Sequence, residues 1–225
     1  MTVSFEEAKT TILEALKPMG AEYLEALEEG FKNRWIDACE NVGKRSGAYC
    51  SGGTVSHTFV LMTYKDKLDD MFTLVHEMGH AMHNYFSNKT QPHQTAGYKI
   101  FVAEVASTCN EILLTRYLLE RTQDKVQKAY IINHFLDEVK GTLFRQTMFA
   151  EFELLAHRMF EQGEALTAER LNQVYLELNQ KYFGPDMVSD PEIRLEWARI
   201  PHFYTPFYVY QYATGIAAAA ALSTR

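Results

Sequence analysis

The residues in this chain best able to do chemistry together are His76, Glu77 and His80, in the run His76-Glu77-Met78-Gly79-His80. Leu68, Met71, Phe72, Val75 and Met82 recur around them at helical spacing and predict a buried helix from about residue 68 to about 86. Side chains four apart on a helix share a face, about 6 Å apart along the axis. Two imidazoles so placed can converge on one metal ion, and the carboxylate beside the first can reach a water on that ion. A buried, ionised Glu77 is costly without a charge partner, and a cation supplies one. The alternative is an unrelated helix that carries the pattern by chance.

A catalytic zinc needs a third protein ligand and an open position. A third histidine six residues after the second is ruled out, because that position is Phe86. His83 shares the face of His76 and His80 but is too close in sequence to be an obvious third ligand on a straight helix. It is read as a core or supporting residue. Glu104 is the better candidate. It is the one carboxylate in the apolar run from Phe101 to Ser107, on the next long helix. Glu111, two helical turns later on the same side, could accept a hydrogen bond from a ligand histidine. A salt bridge with Arg116 is the other option. Gly79 costs a helix about 1 kcal/mol relative to alanine, and close approach by another element would explain it.

These residues need a helical frame, and most of the chain has helical periodicity. Helices are expected at 5–16, 19–35, 68–86, 100–120, 124–162 with a break near Gly141, 168–182 and 208–222, with a short helix or turn at 193–199. Gly43, Gly47, Gly52 and Gly53 punctuate one contrasting segment. There, Ala48 to Cys50 and His57 to Tyr64 read as two short strands around a Gly-Gly turn. The expected fold is mainly α, a single helical domain of zincin type over 1–225, with a small β-hairpin beside a cleft.

Composition narrows the function. The 225 residues are 47% apolar and 23% charged, as in ordinary globular proteins. A net charge of −7 argues against a general nucleic-acid binder. Three cysteines without a CxxC pair argue against a disulfide framework. The longest apolar run near the end, 215–222, is too short for a bilayer, and no signal segment is visible. The expectation is a cytoplasmic protein with no membrane or nucleic-acid partner.

The wider sequence resembles the oligoendopeptidase F branch of the thimet-oligopeptidase-like metallopeptidases. The resemblance rests on residues 72–83 around the HExxH, 101–108 around Glu104, Gly43 to Tyr49, 144–153, and the stretch from His202-Phe203-Tyr204 to Tyr210-Gln211-Tyr212-Ala213. It implies one zinc per chain on His76, His80 and Glu104, with Glu77 as general base in cleaving internal bonds of short unstructured peptides. It also implies that Gly47, Ala48 and Tyr49 line the substrate cleft; the segment could offer a free strand edge to a peptide backbone, the alternative being an ordinary paired strand. His202 and tyrosines from Tyr204, Tyr208 and Tyr210 would bind substrate and stabilise the transition state, with His202 and Tyr210 the first choices. An aromatic core cluster is the alternative for those four. The resemblance covers only the C-terminal catalytic portion of such proteins, so an N-terminal helical region or a second copy of the chain is left open as partner. The rival function is a truncated, inactive peptide-binding module that keeps zinc for structure.

Overall fold

The computed structural model describes residues 1–224. Its contacts divide into two compact units, one of Met1–Phe135 with the chain end from Ala218, the other of Leu136–Ala217. Both boundaries fall inside helices, at 135/136 and 217/218, and no linker marks them. The architecture is mainly α with one small sheet, as expected. Among the described residues no helix is long and apolar enough to cross a membrane.

The first unit opens with α1 (Phe5–Ala15), started by a capping box. Ser4 Oγ accepts the Glu7 amide, and the Glu7 carboxylate accepts the Ser4 amide at 2.9 Å. Ala8, Ile12 and Ala15, at helical spacing, are its buried stripe. After a 3-10 turn over Lys17–Met19, α2 spans Ala21–Lys32. The expected extension to Trp35 does not occur. Arg34 takes a left-handed conformation, φ 61°, which ends the helix and turns the chain into a strand.

That strand, β1 (Ile36–Asp37), pairs parallel with β3 (Phe59–Leu61), and β2 (Tyr49–Ser51) pairs antiparallel on the other side of β3. Val60 lies opposite both Ile36 and Cys50. The sheet order is β1-β3-β2. The sequence pattern predicts only β2 and β3, and β3 is shorter than the predicted 57–64. A two-residue strand has no periodicity to detect; β1 exists through its ladder to β3.

Two long helices carry the core of this unit. They are α3 (Leu68–Thr90) and α4 (Ile100–Arg121), packed closely together. Leu74, Val75, Met78, Ala81 and Met82 of α3 are wholly buried. Asn110, also wholly buried, ties three helices: Tyr23 Oη on α2 donates to its Oδ1 at 3.0 Å, and its Nδ2 reaches the Val75 carbonyl on α3 at 3.4 Å. A buried amide so paired fixes helix register.

The second unit begins inside α5 (Lys125–Val139); a π-helical turn at Lys140–Phe144 follows, then α6 (Arg145–Glu161). The break expected near Gly141 is thus a change of helix type, with Val139 and Arg145 on either side still in helical conformation. α7 (Ala168–Phe183) is capped by Thr167, whose side chain accepts the Arg170 amide. 3-10 turns follow at Pro191–Arg199 and Pro201–Tyr204, then α8 (Tyr210–Leu222). Met148, Phe149 and Phe152 of α6 meet Val174, Tyr175 and Leu178 of α7 in this unit's core. Glu196 sits at its margin. Arg145, Arg199 and the Tyr175 hydroxyl all donate to its carboxylate.

Candidate metal centre

α3 and α4 meet at Gly79, and that contact sets the distance between the histidines and Glu104. A Cβ at Gly79 would lie 2.5 Å from the Ser107 Cα and 3.1 Å from the Ala106 carbonyl oxygen. Both are backbone atoms and cannot swing aside. Gly79→Ala should therefore lose stability despite a helix-propensity gain of about 1 kcal/mol, because overpacking costs about 1–3 kcal/mol or more. The measurement is the urea midpoint at constant m-value; a midpoint at or above that of the unsubstituted protein would refute the close approach.

The close packing brings three donor side chains together. One ligand atom each from His76, His80 and Glu104 lies within 4.8 Å of the others. The two histidine Nε2 atoms are 3.1 Å apart. Glu104 Oε2 is 3.7 Å from the first and 3.8 Å from the second. A tetrahedral ion with ligands at about 2.0–2.1 Å has edges of about 3.3 Å. The triangle therefore fits a cation of that geometry with small side-chain movement.

The surroundings point the same way. The Nδ1 of His76 is hydrogen-bonded to Glu111, which leaves Nε2 for the triangle. Of the two options for Glu111, this is the one the structure forms, while the Arg116 guanidinium donates to the Ser223 carbonyl. Ser107 Oγ lies 3.4 Å from Glu104 Oε2. Burial opposes protonation of His76, yet the hydrogen bond and charge of Glu111, with Glu104 and Glu77, push it up to about 9. Burial and the charges of His76 and His83 hold His80 down at about 3. Burial raises the carboxyls of both Glu77 and Glu104; neighbouring carboxylates add to this and His76 opposes it. Three crowded carboxylates beside two imidazoles form a site that a divalent cation would relieve.

Glu77 is 7% exposed and adjoins the triangle without entering it. β2 packs against α3, and burial of the Cys50 thiol on β2, with the charge of Glu77 adding to it, pushes that thiol up to about 12. The sheet order leaves β2 an edge strand, with Tyr49 56% exposed, Gly47 exposed and Ala48 half-buried. Lys44 folds under the loop before it, donating to the carbonyls of Asp37 and Cys39 at 3.0 and 2.7 Å. His83 lies outside the triangle. Its ring stacks on Tyr98 with centroids 3.7 Å apart, and burial lowers its pKa.

A family model described as Peptidase family M3 matches residues 2–225. The chain belongs to peptidase family M3. Its M3 relatives include oligopeptidase PepF of Bacillus subtilis, 55% identical over all of this chain and 34% of that protein. The chromosomal oligoendopeptidase F of Lactococcus lactis subsp. cremoris is 47% identical over 99% of this chain and 37% of that one. The crystal structure of oligoendopeptidase-F from Enterococcus faecium superposes with a TM-score of 0.69 at 44% identity, covering 98% of this chain and 32% of the other. This M3 chain therefore spans about a third of the length of these relatives.

The aromatic residues expected at the M3 site lie in the second unit. There His202 stacks on Tyr208 with centroids 5.6 Å apart and meets Tyr212 edge-on. The Tyr208 and Tyr212 hydroxyls are 3.0 Å apart. Tyr204 is 86% exposed and Tyr210 42% exposed. Tyr212, named above only within the resemblance, joins His202 and Tyr208 here; Tyr208 and Tyr212 are four apart across the start of a predicted helix. The sequence pattern also does not single out Tyr98, Ser107 and Asn110; Ser107 lies three residues after Glu104 on the same helix, and that spacing was its available signal.

Glu111→Ala removes the partner of His76 Nδ1 and, if the triangle takes up added zinc, should weaken that uptake about 10–100-fold. Competition with a chromogenic chelator measures it; unchanged affinity would deny Glu111 that role.

Proposed function

We propose that this chain is the catalytic portion of a zinc metalloendopeptidase that cleaves internal bonds of short, unstructured peptides in the cytoplasm. One observation carries the reading. His76 Nε2, His80 Nε2 and Glu104 Oε2 converge within 4.8 Å on one side of a buried helix, and that helix also bears Glu77. Two imidazoles and a carboxylate form a donor set suited to catalytic zinc.

Bound zinc would supply Lewis acidity, polarising the scissile carbonyl and lowering the pKa of a water toward about 7. Glu77 takes the proton from the attacking water and delivers it to the leaving amine. The raised pKa of its buried carboxyl suits both halves of that transfer. Glu111 keeps the His76 ring in the orientation that presents Nε2. The edge of β2 at Gly47, Ala48 and Tyr49 receives the peptide backbone, so main-chain hydrogen bonds provide affinity with little demand on side chains. His202, Tyr204, Tyr208 and Tyr210 contact substrate and stabilise developing negative charge; one such donor is worth about 100-fold or more in rate.

The test is zinc content and hydrolysis of an internally quenched peptide, measured on one purified sample. The expected result is one zinc per chain and cleavage that a chelator stops and added zinc restores. Zinc without cleavage would favour the alternative, a peptide-binding module with a structural metal.

A further inference from the structure

The second unit holds a buried carboxylate that the mechanism above does not use. Glu153, on α6, is 7% exposed, and the Phe207 amide donates to its Oε1 at 2.6 Å. Phe207 is one of only three non-glycine residues with positive φ among the described residues, at 58°. For a bulky side chain that conformation is strained and persists only where its surroundings impose it. The surroundings here lie on one face of α6. His157, four residues after Glu153, has its ring 4.9 Å from that of Phe207 and its Nδ1 2.8 Å from the Glu153 carbonyl oxygen. Val209, two residues on, is 1% exposed and anchors the far side of the turn.

A carboxylate buried for the sake of one backbone amide is a costly filler. A methionine or leucine would pack the same volume without desolvating a charge. What the carboxylate adds is a strong acceptor that holds the left-handed turn at Phe207. That turn aims the next residue, Tyr208, against His202, with the Tyr208 hydroxyl 3.0 Å from that of Tyr212.

We propose that Glu153 is a positioning residue for peptide hydrolysis: by pinning the Phe207 amide it holds the His202–Tyr208 pair in the geometry that receives substrate. The inference rests on the reading of this chain as a peptidase whose aromatic segment contacts substrate. The anchor itself can be tested apart from that reading.

The experiment compares the unsubstituted chain, Glu153→Ala and Glu153→Gln by residue-resolved amide exchange, quenched-peptide kinetics and zinc content. Glutamine keeps a carbonyl oxygen at the accepting position, so it should retain the anchor. The Phe207 amide of the unsubstituted chain should exchange at least about 10-fold more slowly than an unprotected amide. Glu153→Ala should lose that protection and about 100-fold in kcat/KM at unchanged zinc content. Glu153→Gln should keep the protection and most of the activity. The anchor is overturned if Phe207 exchanges freely in the unsubstituted chain or stays protected in Glu153→Ala. The positioning role is overturned if Glu153→Ala loses the protection yet cleaves as the unsubstituted chain does. Should Glu153→Ala fail to fold, exchange in the other two proteins decides, and free exchange in either overturns the anchor. If none of the three cleaves peptide while exchange follows the expected pattern, the anchor stands and the peptidase reading fails.

Discussion

Glu77→Gln should abolish peptide hydrolysis while leaving the fold and the metal in place. Glutamine matches glutamate in shape, so the buried site at the α3–β2 contact keeps its packing. What disappears is the basic oxygen. General acid–base catalysis contributes about 10²–10⁴-fold, and Glu77 is asked to act at both proton transfers, so the expected loss in kcat is at the upper end, about 10⁴-fold. Glu77 lies outside the His76–His80–Glu104 triangle, so zinc content should stay at one per chain. Its carboxyl is also raised by burial and by neighbouring carboxylates, so neutralising it should not cost stability. A Glu77→Gln protein that cleaves at the original rate would remove Glu77 from the mechanism.

The second large effect is expected from Glu104→Ala. It deletes one corner of the donor triangle and leaves two histidines four residues apart. Losing an outer partner such as Glu111 costs about 10–100-fold in metal affinity; losing a direct ligand should cost more. Zinc content after dialysis should fall from one per chain to near zero, and hydrolysis with it. Alanine is a better helix former than glutamate, so α4 should stay helical there and circular dichroism should change little. Full zinc retention after this substitution would mean that the third ligand is another residue.

The donors were legible in the sequence because their signals are local. Spacing on one helix fixes the relation of His76 to His80, and Glu104 stood out as a single carboxylate in an apolar run. Gly79 was legible as an anomaly, a helix interior without a Cβ, and the contact with Ser107 gives its cause. What could not be read depends on residues far apart in the chain. β1 is two residues held by a ladder to β3. The left-handed turns at Arg34 and Phe207 occur at residues with no propensity for them; tertiary contacts impose the second. Tyr98 against His83 joins a loop to a helix 15 residues away in sequence. The end of α2 was misplaced for the same reason: its apolar periodicity runs on to Trp35, but the Trp35 carbonyl is taken by the Val60 amide at 2.7 Å.

Anomalous diffraction at the zinc absorption edge, from crystals of the zinc-loaded protein, tests the central claim most directly. The account predicts a single peak within bonding distance of His76 Nε2, His80 Nε2 and a Glu104 oxygen, with Glu77 beside it and not bound to it. No peak at the triangle, or an ion held instead through Glu111 or His83, would contradict it.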